Sequence, residues 1–299
     1  MNSKPNFTNH SCRNFNPFLA ALALTLSVPG RADTPTFSDA NWVSLGSGMN
    51  GTVFALAASG TNLYAAGRFT TAGGIPANNI ARWDGSAWSA LGSGMGGDYP
   101  YVYALAVSGT NLYAGGLFTT AGGVRANNIA KWDGRAWSAL GSGMNEYGTV
   151  EALAVSGTDL YAGGELTMAG GVPASGVAKW DGHAWSALGE GVEGNRIIAL
   201  TVNGANLDVG GGFNTAGGVV ANGIAKWDGN AWSTLGSGMG GDISYVEALA
   251  VSGTDLYAAE NLPRRVGWRP PTSPNGTAVL GQPWARGSVE VGLLSMRWP

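Results

Sequence analysis

Short apolar runs alternate with turns rich in Gly, Asn and Asp along most of the chain, and the arrangement returns at a nearly constant interval. The tripeptide Trp-Asp-Gly marks each copy, at Trp83, Trp132, Trp180 and Trp227, with spacings of 49, 48 and 47 residues. In the second copy, the apolar runs occupy residues 102–107, 112–116, 128–132 and 136–140. Each run has the length of a strand, and the Gly-containing and Asp-Gly segments between runs are hairpin signals. The pattern therefore predicts four antiparallel strands per repeat.

A repeat of about 48 residues suits one four-stranded blade of a β-propeller. We therefore predict an all-β fold of antiparallel blades, at about residues 53–95, 102–144, 150–191 and 197–239, with a partial blade at 246–259. Residues 41–49 match the fourth-strand segment 87–95, so the chain begins in the middle of a blade. Propellers often close by completing the last blade with a strand from the chain start, which removes exposed sheet edges. The offset start favours a ring over an open array.

The second copy also carries a family signature. Leu112-Tyr113-Ala114-Gly115-Gly116, then Ile129-Ala130-Lys131-Trp132-Asp133, then Trp137 five residues after Trp132, resembles the kelch repeat over about residues 42–259. That resemblance implies a bladed propeller. The Trp-Asp-Gly tripeptide and the loop Phe-Thr-Thr-Ala-Gly-Gly depart from the kelch pattern and are similar to a secreted subgroup related to fungal cortical polarity markers. The Gly-His partner of the Trp-Asp repeat family is absent.

Each repeat has two tryptophans, one on either side of the Asp-Gly hairpin, which are Trp132 and Trp137 in the second copy. Large aromatic side chains dominate core energetics, and a ligand-binding role would not need the same residue in every repeat. We therefore expect both tryptophans of each blade to be buried.

The N-terminal segment has the features of a secretory signal at residues 1–32. Lys4 and Arg13 precede an apolar run at residues 18–28, and a small-residue pattern ends at Ala32. A membrane anchor is the alternative, but eleven apolar residues are fewer than the roughly 20 that a spanning helix needs. We expect a secreted, periplasmic or cell-surface protein with no transmembrane segment after cleavage. The single cysteine, Cys12, would be removed with the signal.

The charge of the repeat region limits the class of partner. Residues 33–259 contain 17 Asp plus Glu and 8 Lys plus Arg, a net charge of −9, which the total of −3 for the whole chain conceals. An acidic surface disfavours polyanions, because nucleic-acid affinity depends on neutralising phosphates with basic residues. We therefore expect a protein or glycan ligand and no nucleic acid.

The repeat stops abruptly after residue 259, and residues 260–299 are rich in Pro and Arg. Codons permitted for these residues, read two bases further on, can encode the missing Phe-Thr-Thr-Ala-Gly-Gly and Asn-Ile-Ala-Lys-Trp-Asp-Gly segments of a fifth repeat. We therefore predict a frameshift near codon 259 and a non-native tail without ordered packing, in which Trp268, Trp284 and Trp298 have no assigned pocket. A genuine Pro-rich tail is the alternative.

Metal and cofactor chemistry finds little support in the sequence. The expected mature chain has one histidine, His183, at a hairpin tip, so histidine- or cysteine-ligated metals are excluded and we predict no cofactor. The aspartates of the Trp-Asp-Gly hairpins are expected to cap their own turns rather than bind calcium. Asp98 and Asp242, each after Met-Gly-Gly in an inter-blade loop, are the remaining calcium candidates.

Function in a repeat protein is expected where the repeats differ, because shared positions build the scaffold. One divergent position, on the predicted innermost strand, holds Phe54, Tyr103, Glu151, Ile198 and Glu247; another, after the Gly-Gly pair, holds Arg68, Leu117, Glu165 and Gly212. Loop tyrosines add to these. The candidate binding residues are Tyr99, Tyr101, Tyr103, Tyr147, Glu151, Glu165 and Glu247. Solvated loop variation is the alternative interpretation.

These features favour a non-catalytic interaction module outside the cell. The alternative is a glycan-active hydrolase or lyase that uses Glu151 and Glu247, two blades apart, as a carboxylate pair. Such a pair must lie about 5–10 Å apart across a cleft. Saturable binding without turnover would support the module, and hydrolysis or lysis of a glycan would support the enzyme.

Overall fold

The computed structural model of the 299-residue chain describes residues 44–239, 245–253, 255–261 and 291–296. The segment predicted as a secretory signal, residues 1–32, lies outside the described residues, as do Asp242, Trp268, Trp284 and Trp298. All the regular structure in the described part of the chain is β-strand.

Four consecutive sheets have the same antiparallel order, and we call each a blade with an inner, second, third and outer strand. Blade 1 contains β1 (Thr52–Ser59), β2 (Asn62–Arg68), β3 (Thr71–Ala72), β4 (Ile75–Pro76), β5 (Ile80–Trp83) and β6 (Trp88–Ala90). Blade 2 follows β7 (Met95–Gly96) and contains β8 (Tyr101–Ser108), β9 (Asn111–Leu117), β10 (Thr120–Ala121), β11 (Val124–Arg125), β12 (Ile129–Trp132) and β13 (Trp137–Ala139).

The next two blades repeat this order. Blade 3 contains β14 (Thr149–Ser156), β15 (Asp159–Glu165), β16 (Met168–Ala169), β17 (Val172–Pro173), β18 (Val177–Trp180) and β19 (Trp185–Ala187). Blade 4 contains β20 (Val192–Asn203), β21 (Asn206–Ala216), β22 (Val219–Val220), β23 (Ile224–Trp227) and β24 (Trp232–Thr234). The prediction of four main strands per repeat is confirmed, and the sheets pair in the order inner, second, third, outer.

A fifth, partial blade follows. It contains β25 (Tyr245–Ser252), β26 (Asp255–Asn261) and β27 (Val291–Met296), in that order in the sheet. The strand β27 pairs antiparallel with β26 along the whole of its length, from Val291 to Met296. Backbone pairing therefore occurs in part of the segment that we expected to lack ordered packing. The frameshift itself stays a prediction, because the reading frame is a property of the gene.

The hairpin between the third and outer strands is fixed by its aspartate. In blade 2, Oδ1 of Asp133 accepts hydrogen bonds from the backbone N–H groups of Arg135 and Ala136, both at 2.8 Å, and Gly134 has φ of 99°. The equivalent contacts recur at Asp84, Asp181 and Asp228. This confirms that these aspartates cap their own turns, and His183 lies exposed at one of these tips.

The tryptophans of the outer strands join each blade to the one before it. Their indole Nε1 groups donate to a leucine carbonyl of the preceding blade at 2.7–2.9 Å, in the pairs Trp88–Leu45, Trp137–Leu91, Trp185–Leu140 and Trp232–Leu188. All four are buried. The prediction that both tryptophans of each blade are buried holds only in blade 4, since Trp83, Trp132 and Trp180 on the third strands are half-buried.

The first described residues occupy the place of a preceding blade. Leu45 accepts from Trp88 as Leu91 accepts from Trp137, and Met49 bridges to Ala72 as Met144 bridges to Ala169. The match between the chain start and the end of a blade is therefore confirmed in space. Successive inner strands pack against one another in the order β1, β8, β14, β20 and β25, and within the described residues no extended packing joins β25 to β1. Closure of the ring stays a prediction.

The hairpin aspartates make the fold sensitive to acid. Hydrogen bonds from the backbone of Ala87 and then Ser86 lower the pKa of Asp84 to about 2, and equivalent backbone bonds lower the pKa of Asp133, Asp181 and Asp228. Because the folded-state pKa lies below the unfolded value of about 3.9, the ionised carboxylates stabilise the fold above about pH 4, and this is lost as the pH falls towards 2. We expect the urea midpoint to fall over this range.

A variant with all four hairpin aspartates replaced by asparagine provides the control. The amide oxygen still accepts the turn hydrogen bonds but does not titrate, so its urea midpoint should depend less steeply on pH between 4 and 2. An equally steep fall in the variant would assign the acid sensitivity to other carboxylates.

Candidate functional site

The inner strand of each of the five blades contains a β-bulge. Its pairing with the second strand shifts by one residue between Val53 and Ala55 in blade 1, and at the equivalent place in the other four blades. The extra residues are Phe54, Tyr103, Glu151, Ile198 and Glu247, which are the five residues of the divergent position identified in the sequence. A bulge re-aims a side chain away from the regular ladder. The repeats therefore differ at the bulge, where the backbone directs one side chain away from the regular ladder.

Two further divergent positions lie at the same end of each blade. One is the residue two before the bulge, which begins the inner strand in blades 1, 2 and 3. It pairs with the other, the residue after the Gly-Gly position on the second strand. The pairs in blades 1 to 4 are Thr52 with Arg68, Tyr101 with Leu117, Thr149 with Glu165, and Arg196 with Gly212. The loops that join the blades run at this end. We call it the loop end.

Three aromatic rings from blades 1 and 2 meet there, and we call them the aromatic cluster. The ring centroid of Phe54 lies 5.4 Å from that of Tyr103 and 6.4 Å from that of Tyr101. Tyr101 and Tyr103 stack with centroids 5.9 Å apart. The guanidinium carbon of Arg68 lies 5.5 Å from the Tyr101 centroid, in the range of a cation–π contact. All three rings are half-buried and so present part of their surface to solvent.

Charged side chains of blades 3 and 4 form the charged cluster beside it. Nε of Arg196 donates to both carboxylate oxygens of Glu151 at 2.9 Å, and a terminal guanidinium nitrogen lies 2.7 Å from Oε2. Thr149 Oγ1 donates to Glu151 Oε1 at 3.1 Å, and Glu165 lies 3.5 Å from Arg196 Nε. The Glu151 side chain is 8% exposed, whereas those of Arg196 and Glu165 are 30% and 51% exposed. The cluster is therefore anchored by a buried carboxylate.

The two clusters influence each other electrostatically. Burial raises the pKa of Tyr103 to about 12, and the negative charge of Glu151 adds to this. Burial also raises the pKa of Glu151, while the hydrogen bonds from Arg196 act in the opposite direction. Burial disfavours the charge of Arg196, but its bonds to Glu151 outweigh this and raise the pKa of the guanidinium. Tyr103 is thus a neutral phenol next to an ion pair at physiological pH.

The side chains at the loop end contact the following blade. Arg68 of blade 1 covers Tyr101 of blade 2, and Glu165 of blade 3 pairs with Arg196 of blade 4. Gly212 of blade 4 follows the same rule, because a Cβ atom there would overlap the ring of Tyr245 in blade 5. The residue at this position of each blade is therefore complementary to the residue that it faces on the following blade.

The structure brings four of the seven predicted binding residues together: Tyr101, Tyr103, Glu151 and Glu165. Tyr99 and Tyr147 lie on inter-blade loops and are 74% and 87% exposed. Glu247 is half-buried at the bulge of blade 5, and the calcium candidate Asp98 is exposed in the loop before Tyr101.

Sequence reasoning missed Arg196, which connects both acidic residues, and Thr149, which supports Glu151. Arg196 lies within β20, two residues before the bulge, and is equivalent to Tyr101 and Thr149. Comparing that position across the repeats would have revealed it as a third site of divergence.

Antiparallel four-stranded blades whose inner strands pack side by side define a β-propeller, and the chain belongs to this fold class. The WD40 β-propeller domain of Doa1 matches it with a TM-score of 0.51 at 15% identity, over 72% of this chain and 64% of that one. A computationally designed protein, Ika8, matches with a TM-score of 0.47 at 18% identity, over 71% and 57%. The extracellular domain of BT4673 from B. thetaiotaomicron matches with 0.46 at 13%, over 70% and 25%.

The present chain therefore spans less than two thirds of each of these structures, and at such identities the likeness concerns the fold alone. No protein-family model matches the chain, and no curated protein sequence matches it. In the part of the chain that the structure describes, there is no helix with the length and apolar character needed to cross a membrane.

Proposed function

We propose that the chain is an exported, non-catalytic interaction module that binds a protein partner at the loop end of its blades. The observation that carries the proposal is the aromatic cluster, in which three half-buried rings from two blades lie within 6.4 Å of one another beside an ion-paired arginine. Tyrosine and arginine are enriched at protein interfaces and at their energetic hot spots. The exposed loop tyrosines Tyr99 and Tyr147 extend the surface on the same kind of loop.

The charge of the repeat region supports a partner with a basic surface. Residues 33–259 have a net charge of −9, and complementary potentials steer association. The predicted signal at residues 1–32 supports an extracellular or cell-surface location for this encounter.

The geometry of Glu151 supports binding rather than catalysis. Both of its carboxylate oxygens accept hydrogen bonds from Arg196, and one also accepts from Thr149. A glycosidase nucleophile or acid must have an oxygen directed at the substrate. The glycan-active alternative therefore becomes an outcome of the binding test.

The test is a binding screen of the purified chain against arrays of extracellular proteins and of glycans. We expect saturable binding to a protein, weakened at least tenfold by Tyr101→Ala or Tyr103→Ala, since a hot-spot side chain contributes about 2 kcal/mol or more. Thr110→Ala is the control, because Thr110 is exposed in the turn between β8 and β9, at the opposite end of the strand that begins with Tyr101. Thermal unfolding of each variant verifies that it is folded.

Binding that both tyrosine variants leave unchanged would contradict the proposed site. Saturable binding to a glycan without turnover would change the partner class but keep the module. Release of sugar products that is lost in Glu247→Gln would replace the proposal with the glycan-active enzyme.

A further inference from the structure

Neighbouring blades pack against each other through one apolar contact that recurs along the chain, and we call each such packing surface a seam. At three successive seams, two aliphatic side chains of an inner strand cover a glycine on the second strand of the blade before, in the sets Val150 and Leu153 on Gly115, Ile197 and Leu200 on Gly163, and Val246 and Leu249 on Gly210. A Cβ atom added to Gly163 would lie 2.6 Å from Ile197 Cγ2 and 3.2 Å from Leu200 Cδ1. At the first seam, Ala66 takes the place of the glycine and shares a core cluster with Val102 and Leu105.

Blade 1 has the same aliphatic pair, and none of the described strands packs in front of it as the second strand of a preceding blade does at the other seams. Leu56 is 40% exposed, whereas its equivalents Leu105, Leu153 and Leu200 are half-buried. Val53 is half-buried, whereas the equivalent residues of the next four blades are at most 1% exposed. An aliphatic pair shaped for a seam is therefore open on blade 1.

Blade 5 carries the other half of this seam. Ala259 on β26 is equivalent to Ala66, Gly115, Gly163 and Gly210, all of which are buried under the following blade. Ala259 itself is only half-buried. Because Ala66 accommodates the pair of blade 2, the Cβ of Ala259 is compatible with the same contact.

Blade 1 already has some of the contacts that a preceding blade makes at the other seams. Residues 44–49 supply the carbonyl for Trp88 and the bridge to Ala72 that the end of a preceding blade supplies elsewhere. Within the described ranges, no second strand of a preceding blade receives Val53 and Leu56. Among the described residues, β25 of the same chain makes no extended packing with β1, so blade 5 of the same molecule does not fill this place.

We propose that Val53 and Leu56 of one copy dock on the Ala259 face of blade 5 in a second copy, so that copies of the chain associate head to tail. This contact continues a seam that the chain already makes four times internally. It is heterologous, with different surfaces from the two partners, and so generates closed rings or open filaments depending on the rotation between copies. The inference does not depend on the proposed ligand-binding function.

Disulfide trapping tests which molecule fills the seam. At three internal seams, a Cβ atom added to the glycine that corresponds to Ala259 would lie 3.0–3.2 Å from the Cβ of the residue that corresponds to Val53, near the about 3.5–4.5 Å that a disulfide bridges. In a Cys12→Ser background, chains with Val53→Cys are mixed with chains with Ala259→Cys and oxidised mildly. We expect a disulfide-linked pair that forms much faster in the mixture than between either variant and a Val220→Cys control chain.

Two further measurements complete the test. Sedimentation should reveal concentration-dependent oligomers that Leu56→Glu weakens at least tenfold, while Val220→Glu has no effect. A chain with both Val53→Cys and Ala259→Cys should cross-link between molecules. A purely intramolecular link would overturn the proposal in favour of ring closure within one chain, and a wild-type chain that stays monomeric at its highest soluble concentration would also overturn it.

Discussion

Replacing Trp185 with alanine is expected to lower the free energy of unfolding by about 3–5 kcal/mol, the usual cost of emptying a buried aromatic site. Trp185 is 6% exposed, and its ring centroid lies 5.4 Å from that of Trp180. Gly170 is packed against the same ring, since a Cβ atom there would lie 2.7 Å from Trp185 Cδ1. Removal of the ring also leaves the carbonyl of Leu140 without its indole donor. Urea denaturation followed by circular dichroism measures the loss.

Two phenylalanine variants separate packing from hydrogen bonding. Trp185→Phe keeps an aromatic ring but removes the indole bond to the Leu140 carbonyl, which still accepts from the backbone N–H of Gly143. We therefore expect a loss of about 1–3 kcal/mol for one hydrogen bond and reduced packing. Trp180→Phe, on the half-buried third strand, should cost less than Trp185→Phe. If Trp185→Ala lost less than about 1 kcal/mol, the indole would not be joining the blades as we infer.

The main strands could be predicted from the sequence because each is bounded by a turn with its own chemistry. Asp133 and Gly134 determine the hairpin between the third and outer strands, and Gly109, with φ of 59°, determines the one between the inner and second strands. Repetition strengthened the signal, since four copies carry the same turns. The short strands β10 and β11 were missed because two residues are too few to display a period of two.

The bulge could not be predicted, because it changes the pairing register by one residue without a characteristic composition. The sequence revealed that Phe54, Tyr103 and Glu151 vary at one position, but only the pairing shows that this position lies outside the ladder. The partial burial of Trp132 could not be predicted from the sequence either. Its strand lies near the outside of the blade, and the sequence does not specify which strands are covered.

Arg196 was missed because the inter-blade loops differ in length. The residues two before the bulge, Thr52, Tyr101, Thr149 and Arg196, lie three, six, five and four residues after Met49, Met95, Met144 and Val192, so counting from these residues does not align them. The segment before Arg196 also differs in its contacts. In blade 2, Asn128 Nδ2 donates to the carbonyls of Gly148 and Asn145 and holds the loop that follows.

Blade 3 has Gly176 in place of Asn128, and that tether is lost. The corresponding segment instead joins the sheet, so β20 extends over 12 residues with three shifts of register, whereas the other inner strands have 8. Within this longer strand, Arg196 pairs with Gly212, and its guanidinium lies beside Glu151 of blade 3.

Replacing Arg196 with methionine is expected to lower the free energy of unfolding by about 3 kcal/mol, at the lower end of the cost of breaking a buried ion pair because Arg196 is 30% exposed. The cause is the carboxylate of Glu151, which is 8% exposed and would lose its guanidinium partner. Glu151→Gln together with Arg196→Met removes both charges and should recover most of the loss. A double-mutant cycle measured by urea denaturation isolates this coupling.

The dependence on pH distinguishes an unpaired charge from lost packing. Without Arg196, burial raises the pKa of Glu151 above its unfolded value of about 4.3 with no opposing cation. The folded state then binds the proton more tightly than the unfolded state, so the destabilisation present at neutral pH should shrink as the pH falls through the raised pKa. The double variant should lack this dependence. Equal losses at pH 7 and pH 4, or strict additivity in the cycle, would mean that Arg196 stabilises blades 3 and 4 by packing alone.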